Sequence, residues 1–173
     1  MGRASAGRLA LLGILTAVLL GGQVALAAMP NVEIVSLLVI LYSLLLGRQV
    51  FLIICGFVLL EGCLYGFGLW WVSYLYVWPL LAGIAMALGR REQPALFWAI
   101  VSGFFGLGFG ALCALPYLIT GGPAAALSYW LAGLGFDLVH CIGNFLVCLL
   151  LFRPLHRLLK QLLRWYDRKD PQT

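Results

Sequence analysis

Charge is scarce in this chain. Only 10% of its 173 residues are charged, while 64% are hydrophobic. A soluble domain averages about a quarter charged and about half apolar. So few charges cannot cover a water-facing surface, and lipid is therefore the expected solvent. Metal-ligand spacing is lacking as well. Cys55, Cys63, Cys113, Cys141 and Cys148 all stand in apolar stretches, without a C-x-x-C pair or a Cys/His cluster, and read as small buried hydrophobes. The chain has no G-x-x-x-x-G-K-[ST] phosphate loop, so it would not power ATP-driven transport by itself. Neither H-E-x-x-H nor G-x-S-x-G occurs, and no motif pairs Ser36, Ser43, Ser73, Ser102 or Ser128 with His140. His140 and His156 lie at different depths and suggest no metal site. The expectation is a protein that is not an enzyme and carries no cofactor or metal.

What is present is a succession of apolar runs long enough to span a bilayer, which needs about 20 residues per helix. They predict an all-α membrane protein, a single integral membrane domain over 1–173 with six transmembrane helices near 8–28, 32–46, 50–67, 71–88, 95–115 and 136–155. The breaks fall at Met29-Pro30-Asn31, Gly47-Arg48, Gly68-Leu69, the polar run 89–94, and Pro116 with Gly121-Gly122-Pro123. The apolar-biased stretch 124–152 exceeds one span. Gly133-Leu134-Gly135 offers a break there, giving a short outer segment at 124–132 before the last helix, with one long tilted helix as the alternative.

Placing the N-terminus inside puts all 11 Lys and Arg residues in inner segments and none in the outer loops near 28–31, 67–71 and 116–126. Both termini are therefore expected in the cytoplasm of a multi-pass plasma-membrane protein. The charge excess of +5 is accounted for by this placement rather than by nucleic-acid binding. Arg3, Arg8 and Ala25-Leu26-Ala27 also resemble a cleaved signal peptide, and cleavage would leave five helices. The four-residue recurrence of Gly13, Ala17, Gly21 and Ala25 favours a retained packing helix. Over 154–168, Leu155, Leu158, Leu159, Leu162, Leu163 and Tyr166 share one helical face opposite Arg157, Lys160, Arg164 and Arg168. That amphipathic tail is expected on the anionic inner membrane surface.

In a lipid solvent the informative residues are the polar ones within the spans, each costly unless paired or solvated. Asp137, His140, Cys141 and Asn144 stand at i, i+3, i+4 and i+7, one face of a helix. A helix-capping carboxylate and a satisfied packing histidine are the bland alternatives. Glu61, with Tyr65 one turn on, falls in the outer half of helix 3. Glu33 opens helix 2, where the helix dipole accounts for it equally well. Ser102, Gly106 and Gly110 read as helix packing rather than a site.

Aromatics gather on the outer side at Trp70, Trp71, Tyr74, Tyr76, Trp78, Tyr117, Tyr129 and Trp130. An interfacial belt explains several of them. The rest describe, with the acids, an outward-opening cavity of carboxylates and rings. With no Lys or Arg in that half, a polyanion would lack a charged partner. A neutral or cationic heteroaromatic small molecule fits better, through stacking and cation–π contacts.

Met29-Pro30-Asn31-Val32-Glu33, the run from Leu59-Leu60-Glu61-Gly62 through Tyr65-Gly66-Phe67-Gly68-Leu69-Trp70-Trp71 to Trp78, and Phe136-Asp137-Leu138-Val139-His140-Cys141-Ile142-Gly143-Asn144-Phe145 resemble the substrate-binding S components of energy-coupling factor (ECF) transporters, a class of ABC transporter. The resemblance extends over essentially the whole chain in length and layout. It implies a carrier for a vitamin or related micronutrient in a bacterial plasma membrane. Such a carrier associates with a membrane coupling subunit and two cytoplasmic ATPases. Family members dock through Ala-x-x-x-Ala on helix 1, matched here by Gly13 and Ala17 with glycine in place of one alanine. Their ligand region corresponds to Trp71, Tyr74, Trp130, Asp137, His140 and Asn144, with Asn31 in the loop above. A membrane-embedded scaffold of the cell-shape type and an intramembrane hydrolase using His140 are the competing readings. The first leaves the Asp137–His140–Asn144 stripe unexplained, and the second lacks a nucleophile.

Overall fold

The computed structural model describes residues 6–29 and 32–169, which contain helices and turns but no strand. Six α-helices follow one another: α1 (Ala6–Leu26), α2 (Val35–Leu46), α3 (Val50–Tyr65), α4 (Leu69–Leu88), α5 (Ala95–Cys113) and α6 (Leu115–Lys169), with a single 3-10 turn, Gly47–Gln49, between α2 and α3. Five helical segments are long and apolar enough to cross a membrane, Val35–Tyr65 counting as one of them. Helix is what lipid demands, because it satisfies every backbone donor and acceptor internally.

The central element is α2. Every residue from Val35 to Ser43 is buried, whereas the longer helices around it each turn a face outward. At 12 residues it measures about 18 Å, short of the roughly 30 Å hydrocarbon core. Gly47 ends it at φ 56°, a conformation that only glycine adopts without strain. α1 packs against α3 through Leu12, Leu15, Thr16 and Leu19, and Gly56 makes room for the Thr16 methyl. Tyr76 of α4 donates to the Leu112 carbonyl of α5 at 2.6 Å.

α5 and α6 form the most extensive helix pair. Gly103, Gly106 and Gly110 lie directly against the backbone and side chains of Cys141, His140 and Asp137. A methyl group on Gly106 would sit 2.8 Å from the His140 carbonyl oxygen. The glycines expected to pack thus do so, and their partner is the polar face of α6.

The sequence placed a loop at 116–123 and a break at Gly133-Leu134-Gly135. The structure corrects both. Residues 115–121 are helical, Ala114 keeps helical dihedrals, and the chain reverses at Gly122 (φ 77°, ψ −178°). The stacked rings of Tyr117 and Tyr129, 4.2 Å apart, face each other across that reversal. Gly133 and Gly135 stay helical, since a break at membrane depth would strand backbone groups, a larger cost than glycine's low helix propensity. Gly122 carries the turn because its ψ near 180° with positive φ is essentially a glycine-only region, and Pro123 then starts the next helix at a position needing no donor. The expected short outer segment and separate last helix are therefore one helix, of about 70 Å from Pro123 to Lys169. The amphipathic tail is its direct continuation through Pro154, not a detached surface helix.

Arg8 of α1 donates to the Gln49 side chain at 2.9 Å and pairs with Asp167 of α6 at 3.5 Å. The start of α1, the α2–α3 turn and the end of α6 therefore meet at one end of the bundle. The α2 and α6 axes run parallel, since Glu33 meets His140 and Ser36 meets Asn144.

Candidate functional site

Away from the Arg8–Asp167 end, Leu26, Ala27, Met29 and Val32, between the end of α1 and the start of α2, border a cavity of about 420 Å³. Its polar lining comes from Gln23 of α1, Glu33 beside the start of α2, Glu61 of α3 and His140 of α6. Its rings are Tyr65 of α3, Trp70, Tyr74 and Trp78 of α4, and Phe109 of α5. Tyr74 lies at the middle of the aromatic cluster, with Trp70 at 5.3 Å, Trp78 at 5.4 Å and Phe109 at 6.3 Å, all edge-to-face. Among the described residues, no Lys or Arg lines it.

The two acids differ in how they are held. Glu33 accepts the Ser36 backbone N–H through Oε2 at 2.8 Å, and its Oε1 stands 3.4 Å from His140 Nε2. It thereby caps the first turn of α2 and ties that turn to α6. Glu61 is 2% exposed, and its Oε1 has no hydrogen-bond partner within the protein. A buried acceptor without a partner costs about 1–3 kcal/mol, so this oxygen is a place where a donor-bearing ligand would gain most.

The expected face Asp137–His140–Asn144 is divided by the fold. His140 borders the cavity, its ring 4.9 Å from that of Phe109. Asn144 does not border it. Its Nδ2 donates to Ser36 Oγ at 3.2 Å, a buried tie between α6 and α2. Asp137 looks the other way, into a second cavity of about 430 Å³ between α5 and α6. Its Oδ1 accepts the Gly110 backbone N–H at 3.0 Å, while its buried Oδ2 is unpaired. Phe109 and His140 line both cavities and form the wall between them.

Of the other residues expected here, Glu33, Glu61, Tyr65 and Tyr74 converge on the first cavity. Trp71 does not line it: its indole N–H donates to the Val58 carbonyl at 2.8 Å, clamping α4 to α3. Trp130 lies on an outer groove with Leu115, Leu118 and Leu127. Asn31 falls outside the described residues. Gly13 and Ala17 share an exposed face of α1, with nothing within 4 Å of a methyl group placed on Gly13. Trp70 and Trp78 stand among the outer aromatics noted in the sequence, though not among the residues chosen as ligand contacts, while Gln23 and Phe109 were not singled out. Gln23 was detectable as a lone amide within an apolar helix, whereas Phe109 carried no signal separating it from core. Comparison with known protein families, with curated proteins and with solved structures finds no match to this chain.

Proposed function

We propose that this chain is the substrate-binding S component of an ECF-type transporter. In this reading it holds a vitamin-like small molecule, a neutral or cationic heteroaromatic, in the first cavity. A membrane coupling subunit and two cytoplasmic ATPases drive uptake. The observation that carries the reading is the cavity of about 420 Å³, with the unpaired Glu61 carboxylate beside the Trp70–Tyr74–Trp78 rings. That volume suits a ligand of drug-like or vitamin-like size. Flat rings with N–H donors would stack on the aromatics and satisfy Glu61 at once. The chain crosses the membrane six times, α2 and α3 as two short crossings joined by the Gly47–Gln49 turn at the inner side, with both termini cytoplasmic and the cavity facing out. Support for that orientation comes from the basic residues, which gather toward the end where Arg8 meets Asp167.

Docking to the coupling subunit falls to the open Gly13–Ala17 face of α1. A bulky side chain there disturbs nothing within the protein, so Gly13→Leu should leave ligand binding intact and abolish ATP-dependent uptake in cells. Mass spectrometry of the purified protein tests the carrier reading: a small molecule near one equivalent is expected, Glu61→Gln should empty the site, and Trp70→Ala should lower its occupancy. Protein that never retains a ligand, in any preparation, would remove the proposal and favour a scaffold.

A further inference from the structure

The α5–α6 cavity is separate from the cavity assigned to the carried molecule, and the substrate-carrier reading leaves it without a role. It is bounded on α5 by Phe109, Gly110 and Cys113 and on α6 by Tyr129, Gly133 and Asp137. A methyl group on Gly110 would strike the Asp137 carboxylate, and one on Gly133 would meet nothing within 4 Å. Asp137 is 4% exposed and held in place by the Gly110 amide, yet its Oδ2 has no partner among the described residues. Among the described residues, no Lys or Arg lines this cavity.

We propose that the α5–α6 cavity is a second binding site, taking an ammonium group carried on an apolar body, with Asp137 Oδ2 as its acceptor. A carboxylate fixed by one backbone donor presents its free oxygen in a defined direction, and charge-assisted hydrogen bonds are about twice as strong as neutral ones. Phe109, Tyr129 and Phe136 supply ring surface for the ligand's body and for cation–π contact. His140 contributes the wall toward the first cavity, with Glu33 behind it at 3.4 Å. The ammonium belongs either to a separate amine or to a tail of the carried molecule reaching past Phe109 and His140. Its chemistry at Asp137 is the same in both cases.

Isothermal titration of the full chain in lipid nanodiscs tests this, with phenethylamine as probe, phenethyl alcohol as its uncharged counterpart, and empty nanodiscs as the partition blank. The amine should bind at least about tenfold more tightly than the alcohol, the size of one charge-assisted hydrogen bond. Glu61→Gln, which removes the first cavity's free carboxylate, should retain a preference for the amine, and Asp137→Asn or Gly133→Leu added to it should abolish that preference. Gly133→Leu fills the cavity without removing a polar group and improves helix propensity, so it decides the matter if Asp137→Asn fails to fold. Equal affinity for amine and alcohol, no binding of the amine, or a preference lost with Glu61→Gln alone would each overturn the proposal. The ligand copurified with the wild-type protein reports separately on the first cavity. Its displacement of phenethylamine would identify the ammonium as its own tail, and simultaneous binding would identify a separate amine.

Discussion

At Asn144 the amide nitrogen donates to Ser36 while its carbonyl oxygen is buried without a partner. Asn144→Ala leaves the Ser36 hydroxyl without that donor, and a loss of about 1–3 kcal/mol is expected. Thermal unfolding in one fixed detergent measures it, and ligand affinity of the folded protein should stay at the wild-type value. Trp70 and Trp71 make a sharper contrast. Trp70→Ala removes ring surface from the cavity and should weaken ligand binding by about 1 kcal/mol, roughly fivefold. Trp71→Phe should leave affinity unchanged and lower stability by about 1 kcal/mol, through loss of the bond to Val58. Adjacent residues on a helix point about 100° apart, so the two neighbouring tryptophans meet different partners, and only Trp70 reaches the cavity. Which of the two does so depends on packing against α3, which sequence spacing does not encode. The acids were legible because a carboxylate in lipid calls for an explanation by itself; the direction each one faces was not. Asp137 and His140 share a helix face and both border the α5–α6 cavity, yet only His140 reaches the first one.

The α5–α6 contact gives a prediction at the level of whole elements. Gly106→Leu drives a side chain into the His140 carbonyl and should lower the unfolding midpoint by the equivalent of about 1–3 kcal/mol or more. Gly13→Leu, on the open face of α1, should not change the midpoint. The two substitutions are chemically the same, so a comparable loss from both would contradict the packing described. Helix locations were readable from the apolar runs, and the glycine stripe of α5 from its spacing. The reversal was harder to place, because two glycine-containing sites, Gly121-Gly122-Pro123 and Gly133-Leu134-Gly135, offered a break. Gly122 prevailed because proline follows it, whereas nothing at Gly133 or Gly135 removes a backbone donor. The half-length of α2 was also hidden: an apolar run shows that a segment is buried but not whether protein or lipid buries it. Here protein surrounds α2.

Over the whole molecule, one end gathers Arg8, Gln49 and Asp167, and the other holds the cavities. With the five native cysteines replaced by alanine, single cysteines at Arg91 and Gln161 should react with a membrane-impermeant maleimide only from the cytoplasmic side. A cysteine at Gly68 should react only from outside. Labelling of Gly68 and Arg91 from the same side would invert or break the six-crossing topology. The Lys and Arg positions alone divide the loops into two sets, and the orientation expected from them is what this labelling tests.

The unbroken helix after Gly122 has a consequence for the membrane around it. From Pro123 to Phe152, just ahead of the first basic residue of that helix, it measures about 45 Å against a hydrocarbon core of about 30 Å. The difference is met by leaning the α5–α6 pair over or by stretching the surrounding lipid. Asp137 and His140 lie on the leaning pair, while Glu61 and Tyr74 do not. Acyl-chain length is therefore expected to change the lean of that pair, and with it the separation of Asp137 and His140 from Glu61 and Tyr74.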